Sequence, residues 1–270
     1  MLFFIGLGLG SAKDITLRGL EIVKHSKKVY LEGYTSVLES TRVEMEELYG
    51  REILIADREF VEQNCDEMIN EALTDEICFL VVGDVFCATT HCDLYLRAVN
   101  KGVKVSCIHN AGIMTAVGCC GLQLYNFGRT VSIPFFTDKW RPSSFYDKIK
   151  SNLQVGMHTL CLLDIKVKEQ SIENLVRGLK IYEPPRYMSI NTAIQQLFQI
   201  EEEKKQGVLS PTSICVGLAR VGWSTQQIVV GEAQKLLALD FGEPLHSLII
   251  PACDQLCDIE REMLEHFTLK

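Results

Sequence analysis

The chain has 270 residues, 47% hydrophobic and 23% charged, with a formal net charge of −8 at pH 7. That is long for one hydrophobic core and apolar enough to need no disorder, so two α/β domains of roughly 100 to 150 residues each are expected. The acidic balance argues against a nucleic-acid backbone as the main partner, and no apolar run approaches the ~18 residues of a membrane span.

Leu2 to Ile5 reads as a buried strand, followed by the glycine loop Gly6-Leu7-Gly8-Leu9-Gly10 and a helical pattern through Leu17, Leu20 and Ile22-Val23. No basic region precedes this apolar start and glycines interrupt it at once, so it reads as a strand rather than a signal peptide. Strand, glycine loop and helix could form a dinucleotide fingerprint, with Glu32 as the acid closing the second strand, Val29 to Leu31. That fingerprint wants G-x-G-x-x-G, and the third glycine here comes one residue early. A nicotinamide-dependent oxidoreductase stays open as the alternative; the plainer reading is that these glycines let the backbone turn sharply and pack closely.

Thr41 to Tyr49 reads as a short helix, Arg51 to Ala56 as a third strand and Val61 to Leu73 as one acidic helix. Ile77 to Val82 is a strand apolar on both faces, which stops at Gly83-Asp84 before a helix opening at Thr89-Thr90 and ending near Gly102. In an open α/β sheet ligands bind outside the carboxyl ends of the strands, so Asp84 can orient a polar or cationic ligand there. A tight turn capped by its own aspartate is the other reading. Lys104 to Ile108 adds a fifth strand to a parallel-rich first domain, residues 1–110. His109-Asn110-Ala111-Gly112 then supplies turn chemistry ahead of a helix over Ile113 to Leu124.

The second domain, residues 111–270, has a mixed pattern. Strands are expected at Val131 to Phe136, Thr159 to Leu163, Ile214 to Leu218, Gln227 to Val230 and Leu248 to Ile250. Helices are expected at Phe145 to Leu153, Asn191 to Gln206, Ala233 to Leu239 and Ile259 to His266. A polar passage runs from Lys166 to Gly178, and Pro184-Pro185 then breaks the chain.

No G-x-S-x-G elbow, H-E-x-x-H or phosphate loop ending in G-K-[ST] is present, which disfavours hydrolases, zinc proteases and P-loop enzymes. The eleven cysteines include no C-x-x-C, and most lie in apolar runs where a reduced thiol packs as a small hydrophobe. Such usage fits a reducing, cytoplasmic setting and no metal site. His91, His109 and His246 each end an apolar run, where a histidine is more often a hydrogen-bonded structural residue than a base.

Gly6 to Gly10, Tyr30-Leu31-Glu32, Gly83-Asp84 with Ala88-Thr89-Thr90-His91, His109-Asn110-Ala111, Gly118 to Tyr125, Thr159 to Gln170, Tyr182 to Met188, Gly217 to Val221 and Gly242 to Ile250 together resemble the eukaryotic diphthine synthases. These belong to the tetrapyrrole-methylase-like S-adenosylmethionine methyltransferases, so a sister methyltransferase acting on a tetrapyrrole or RNA is a second alternative. The resemblance runs in order from the first residue nearly to the last. It implies an α/β, two-domain tetrapyrrole-methylase-like fold, with a parallel-rich first sheet, a mixed second sheet and the cofactor cleft between them. It further implies S-adenosyl-L-methionine as cofactor, S-adenosyl-L-homocysteine as product and a homodimer. The implied substrate is the modified histidine of translation elongation factor 2, methylated to diphthine methyl ester in diphthamide biosynthesis. Cofactor contacts carried over by resemblance fall on Leu9, Asp84, Cys87, Gly112, Ile113, Leu163, Val221 and His246; no catalytic residue is implied. Two positions depart from the family pattern: Val85 stands where a proline is usual and Cys87 where a glycine is. If that glycine needs a positive φ, Cys87 is strained or the loop moves.

Overall fold

The computed structural model describes residues 1–269, with Ile172 and Leu175 described by their backbone alone. The chain divides into two compact units, Met1–Ala116 with Gly222–Ser224, and Val117–Val221 with the chain from Thr225. No described helix is long and apolar enough to cross a membrane.

The first unit runs β1 (Leu2–Gly6), α1 (Leu17–His25), β2 (Lys28–Glu32), α2 (Arg42–Tyr49), β3 (Leu54–Ala56), α3 (Arg58–Gln63), α4 (Asp66–Glu71), β4 (Ile77–Val81), α5 (Cys92–Asn100), β5 (Val105–Ile108) and a single turn, α6 (Ile113–Ala116). All five strands are parallel, in the order β3-β2-β4-β1-β5. Successive strand residues point to opposite faces. Leu2, Phe4, Ile77 and Phe79 therefore join one core with Met68 of α4 and Leu94 and Ala98 of α5. Phe3, Ile5, Cys78 and Leu80 join another with Val23 of α1 and Met45 and Tyr49 of α2. With both faces covered, the strands are apolar throughout rather than alternating.

The connection from β1 passes β4 on the α1 face to reach β2, and that from β4 passes β1 on the α5 face to reach β5. The topological switch point thus lies between β1 and β4, where the loops Gly6 to Gly10 and Gly83-Asp84 emerge.

The acidic helix expected over 61–73 is two helices, α3 and α4, parted at Asn64 and Cys65. Arg97 of α5 donates to the carbonyl oxygens of Val61 and Glu62, satisfying groups that a continuous helix would satisfy internally. The third strand is shorter than expected, beginning at Leu54 rather than Arg51, whose guanidinium is engaged by the carbonyls of Ser26 and Lys27.

The second unit contains β6 (Val131–Ile133), α7 (Ser144–Gln154), β7 (Thr159–Leu163), β8 (Ile165–Lys166), α8 (Ile172–Val176), β9 (Arg186–Tyr187), α9 (Ile190–Lys204), β10 (Ile214–Ala219), β11 (Gln227–Glu232), α10 (Ala233–Leu237), β12 (His246–Ile250) and α11 (Asp258–His266). Its sheet, in the order β11-β10-β12-β7-β6, is antiparallel except for the β6–β7 pair, so the mixed character expected from the sequence holds. Ser189 caps α9 by accepting the Thr192 N–H. Ala193, Ile194, Leu197 and Ile200, at helical spacing, bury one stripe of that helix against Cys161, Cys215 and Leu248 of the sheet.

Three expectations change here. The helix over 113–124 stops after one turn and gives way to 3-10 turns at Val117–Cys120 and Leu124–Asn126. Gly121 turns with φ +92°, and a side chain there would run into Met263 of α11. The strand over 131–136 ends at Ile133, because Pro134 has no N–H to give a ladder. The polar passage from Lys166 to Gly178 holds the short helix α8 and is flanked by an antiparallel ribbon, β8 with β9, which its composition did not signal.

Candidate functional site

The loops leaving β1, β4 and β5 are tied together by hydrogen bonds. Gly8 and Gly83 exchange main-chain bonds, Gly8 N–H to Gly83 O at 3.1 Å and Gly83 N–H to Gly8 O at 2.7 Å, while Leu7 N–H reaches Val81 O at 2.8 Å. A Cβ on Gly6 would stand 2.7 Å from Gly83 O and 2.9 Å from Asn110 Cβ, so only glycine allows this approach.

Asp84 joins the end of β4 to the end of β5. Its Oδ2 accepts from His109 Nδ1 at 2.9 Å and from Asn110 N–H at 3.0 Å, and its Oδ1 accepts from Phe86 N–H at 3.1 Å. Burial pushes this carboxyl up, but the N–H groups of Asn110 and Phe86 and the His109 ring outweigh burial and hold it below the ordinary range. Asp84 stays ionised while its oxygens fix two loops.

The departures at positions 85 and 87 are accommodated without strain at Cys87. The residue in the left-handed region is its neighbour Ala88, at φ 59°, and Cys87 is not among the positive-φ residues. Val85 is fully buried, and its carbonyl accepts from Thr89 Oγ1 at 2.7 Å and His91 Nδ1 at 3.0 Å. The buried His91 ring meets Phe79 edge-on at 5.3 Å, which makes it a packing residue, as its sequence position suggested.

The dinucleotide alternative fails on this geometry. That fold places β1 beside β2, whereas here β4 lies between them. The N–H groups of Gly10 and Ser11 both donate to Asp14 Oδ2, at 2.9 and 3.1 Å, and that of Gly8 is taken by Gly83, so these loop donors are not free for a pyrophosphate. Glu32 does not present its acid to a ribose either. It is 1% exposed, and it accepts from Tyr34 N–H at 3.1 Å, Thr35 N–H at 2.9 Å and Thr35 Oγ1 at 2.5 Å.

Burial pushes Glu32 up to about 7 against those three bonds. An acid whose folded pKa is raised favours the fold while protonated, so its stabilising contribution is lost as pH climbs from about 4.5 to about 7. Glu32→Gln retains an acceptor for both N–H groups and can donate to Thr35 Oγ1. It is expected to match wild-type stability at pH 4 and exceed it by a few kcal/mol at pH 8. Urea titrations that show the same difference at both pH values would remove the assignment.

Of the eight positions carried by resemblance, Gly112 is buried and Leu9, Asp84, Cys87, Ile113, Leu163, Val221 and His246 are half-buried. Leu9, Asp84, Cys87, Gly112 and Ile113 share the loops of the first unit just described.

In the second unit Leu163 ends β7, ahead of Asp164, whose Oδ2 accepts from Phe135 N–H at 3.0 Å. Val221 follows Arg220, which is left-handed at φ 50° and donates from its guanidinium to Phe241 O at 2.7 Å, to Glu243 O, and to Thr225 O and Oγ1. Arg220 so anchors the loop leading to His246. The His246 Nε2 faces Glu243 O at 3.0 Å, which assigns the proton to Nε2 and leaves the buried Nδ1 as an acceptor with no partner among the described residues. Burial, with the nearby Arg220 charge, lowers this ring's affinity for a second proton, so it is neutral near pH 7.

Two residues that organise these loops were not singled out from the sequence. Asn110 stands in the sequence as part of a turn and of the His109-Asn110-Ala111 piece, and Arg220 as part of the Gly217 to Val221 piece; their carbonyl partners lie elsewhere in the chain.

Comparison with known proteins agrees with this fold. Residues 1–237 match the family model described as Tetrapyrrole (Corrin/Porphyrin) Methylases. The diphthine methyl ester synthase of Homo sapiens is 56% identical over 273 residues, covering 100% of this chain and 95% of that protein. The enzyme of the same name in Dictyostelium discoideum is 54% identical over 272 residues, covering 100% and 99%. A crystal structure from Entamoeba histolytica, described as a candidate diphthine synthase, has a TM-score of 0.89 at 48% identity, covering 100% of this chain and 99% of that one. With the parallel first sheet, the mixed second sheet and a family match over most of its length, the chain belongs to the Tetrapyrrole (Corrin/Porphyrin) Methylases.

Proposed function

We propose that this chain is an S-adenosyl-L-methionine-dependent methyltransferase of diphthamide biosynthesis, which methylates the modified histidine of translation elongation factor 2 to give diphthine methyl ester. The observation that carries this reading is 56% identity with the human enzyme of that activity along the whole of this chain. A cytoplasmic homodimer belongs to the same reading.

The chain's residues fit such a cofactor on one structural point: the neutral His246 ring keeps a buried acceptor at Nδ1 with no partner among the described residues, suited to an N–H or O–H of a nucleoside. We assign the cofactor contacts to Leu9, Asp84, Cys87, Gly112, Ile113, Leu163, Val221 and His246. When bound, S-adenosyl-L-methionine supplies an electrophilic methyl group on a sulfonium. An amine or carboxylate acceptor is already nucleophilic, so the protein's task is placement, which can lower a barrier by several kcal/mol without a dedicated base. Asp84, held ionised by its three donors, keeps the loop bearing Cys87 against the loop bearing Gly112 and Ile113.

The test is transfer of isotope-labelled methyl groups to elongation factor 2 purified from cells lacking this activity, with mass spectrometry locating the label. Label on the modified histidine is expected. Folded, cofactor-binding protein that leaves the factor unlabelled would end the proposal.

A further inference from the structure

We infer that Asn110 is the positioning residue for the cofactor loops: among the described residues it alone bonds to the loops after β1, β4 and β5 at once, and its side-chain amide sets their spacing. The inference rests on the methyltransferase reading and adds to it a residue outside the eight contacts assigned above.

The two N–H groups of the Asn110 amide are both used: Nδ2 donates to Gly6 O at 3.0 Å and to Asp14 O at 2.9 Å, spanning the glycine loop from its first residue to the turn that closes it. Its Oδ1 accepts from Ala111 N–H at 2.8 Å, which fixes the chain one residue before Gly112 and Ile113. Its own N–H goes to Asp84 Oδ2 at 3.0 Å. Leu9 lies between the two carbonyls the amide holds, Asp84 is its acceptor, and Gly112 and Ile113 follow it in sequence.

The fit is close on every side. A Cβ on Gly6 would stand 2.9 Å from Asn110 Cβ, and one on Gly8 would stand 3.2 Å from its Oδ1. Two donors and an acceptor in one plane, on a side chain this short, are available only from asparagine. Aspartate is isosteric but sets an anionic oxygen against the carbonyls of Gly6 and Asp14.

The test is calorimetric titration with S-adenosyl-L-homocysteine at 20 °C, on variants whose melting temperatures lie well above it. Asn110→Ala is expected to weaken binding tenfold or more, and Asn110→Asp further at pH 8. Asn110→Asp should recover part of its affinity towards pH 5, where a protonated carboxyl can donate to one carbonyl, a pH profile absent from wild type.

Asn152→Ala is the control. It removes an equally bonded buried asparagine in the second unit, which holds Arg129 and Thr159, and is expected to lower the melting temperature while leaving affinity within twofold. If wild type binds and Asn110→Ala binds as well, the inference is overturned and the function reading stands. The same holds if Asn110→Ala weakens binding no more than Asn152→Ala does. If wild type itself gives no binding, both fall together.

Discussion

Glu260→Ala is expected to cost about 3–5 kcal/mol of stability, among the largest effects of any single substitution outside the apolar core. Glu260 is fully buried at the start of α11. Its Oε1 accepts from Gln123 N–H at 2.9 Å and stands 3.4 Å from both Asn126 Nδ2 and His158 Nε2, while Oε2 accepts from Cys257 N–H at 3.0 Å. His158 accepts the Ala252 N–H on Nδ1 at 3.0 Å, which leaves its proton on Nε2, directed at Glu260. Removing the carboxylate strands these buried donors at once.

The pH dependence is a second, separate reading of the same group. Burial pushes the Glu260 carboxyl up, but the N–H groups of Gln123 and Cys257, followed by the Cys257 side chain and the His158 ring, bring it down to about 2. A depressed carboxylate stabilises the fold fully above its unfolded value of 4.5 and loses that contribution as pH falls towards 2. The amount is roughly 3 kcal/mol, at 1.36 kcal/mol per unit. Urea denaturation of wild type and Glu260→Gln should therefore show a gap that is constant from pH 8 to 5 and shrinks below pH 4.5. Curves that stay parallel to pH 2.5 would refute the assignment.

Gly112→Ala is the second large effect, and it is expected to be repaired by Cys87→Gly. A Cβ on Gly112 would lie 2.6 Å from Cys87 Sγ and 2.7 Å from Cys87 Cβ, so one of the two loops must move; Asp84 Cβ, at 3.4 Å, can be accommodated. Overpacking of this kind costs about 1–3 kcal/mol. Because both loops carry assigned cofactor contacts, S-adenosyl-L-homocysteine affinity should fall tenfold or more. Cys87→Gly removes both offending atoms at a position that is not left-handed, so the double variant should regain most of the stability and affinity. A coupling energy of 1 kcal/mol or more in a double-mutant cycle is expected. Additive losses would show that Cys87 is not what confines Gly112.

Much of the site was legible before the fold was known, for a physical reason. Buried parallel strands are continuous apolar runs, and each stops where the chain must turn. Gly6 to Gly10, Gly83-Asp84 and His109 to Gly112 therefore stood out as the ends of three strands. Asp84 offered two readings, an acid that orients a ligand or the cap of its own turn; the structure gives its oxygens three internal donors, the Phe86 N–H of that turn among them. The bonding role of Asn110 was not legible because its partners are 104 and 96 residues away. Strain at Cys87 was expected only if the family's glycine needs a positive φ there; the left-handed turn falls on Ala88, since φ is set by the path of the loop.

The alternation of strands and helices, the two sheet characters and the family resemblance were determined by the sequence alone, because periodicity, turn residues and long matching segments are written along the chain. Only tertiary structure decided that β4 lies between β1 and β2, that Gly222–Ser224 sorts with the first unit, that α3 breaks from α4 at Asn64, and that Glu260 finds His158 from 102 residues away. Strand neighbours and buried polar partners are chosen by which apolar faces can be covered together and which donors would otherwise go unsatisfied. Those conditions exist only once distant segments are packed, so no local pattern in the chain records them.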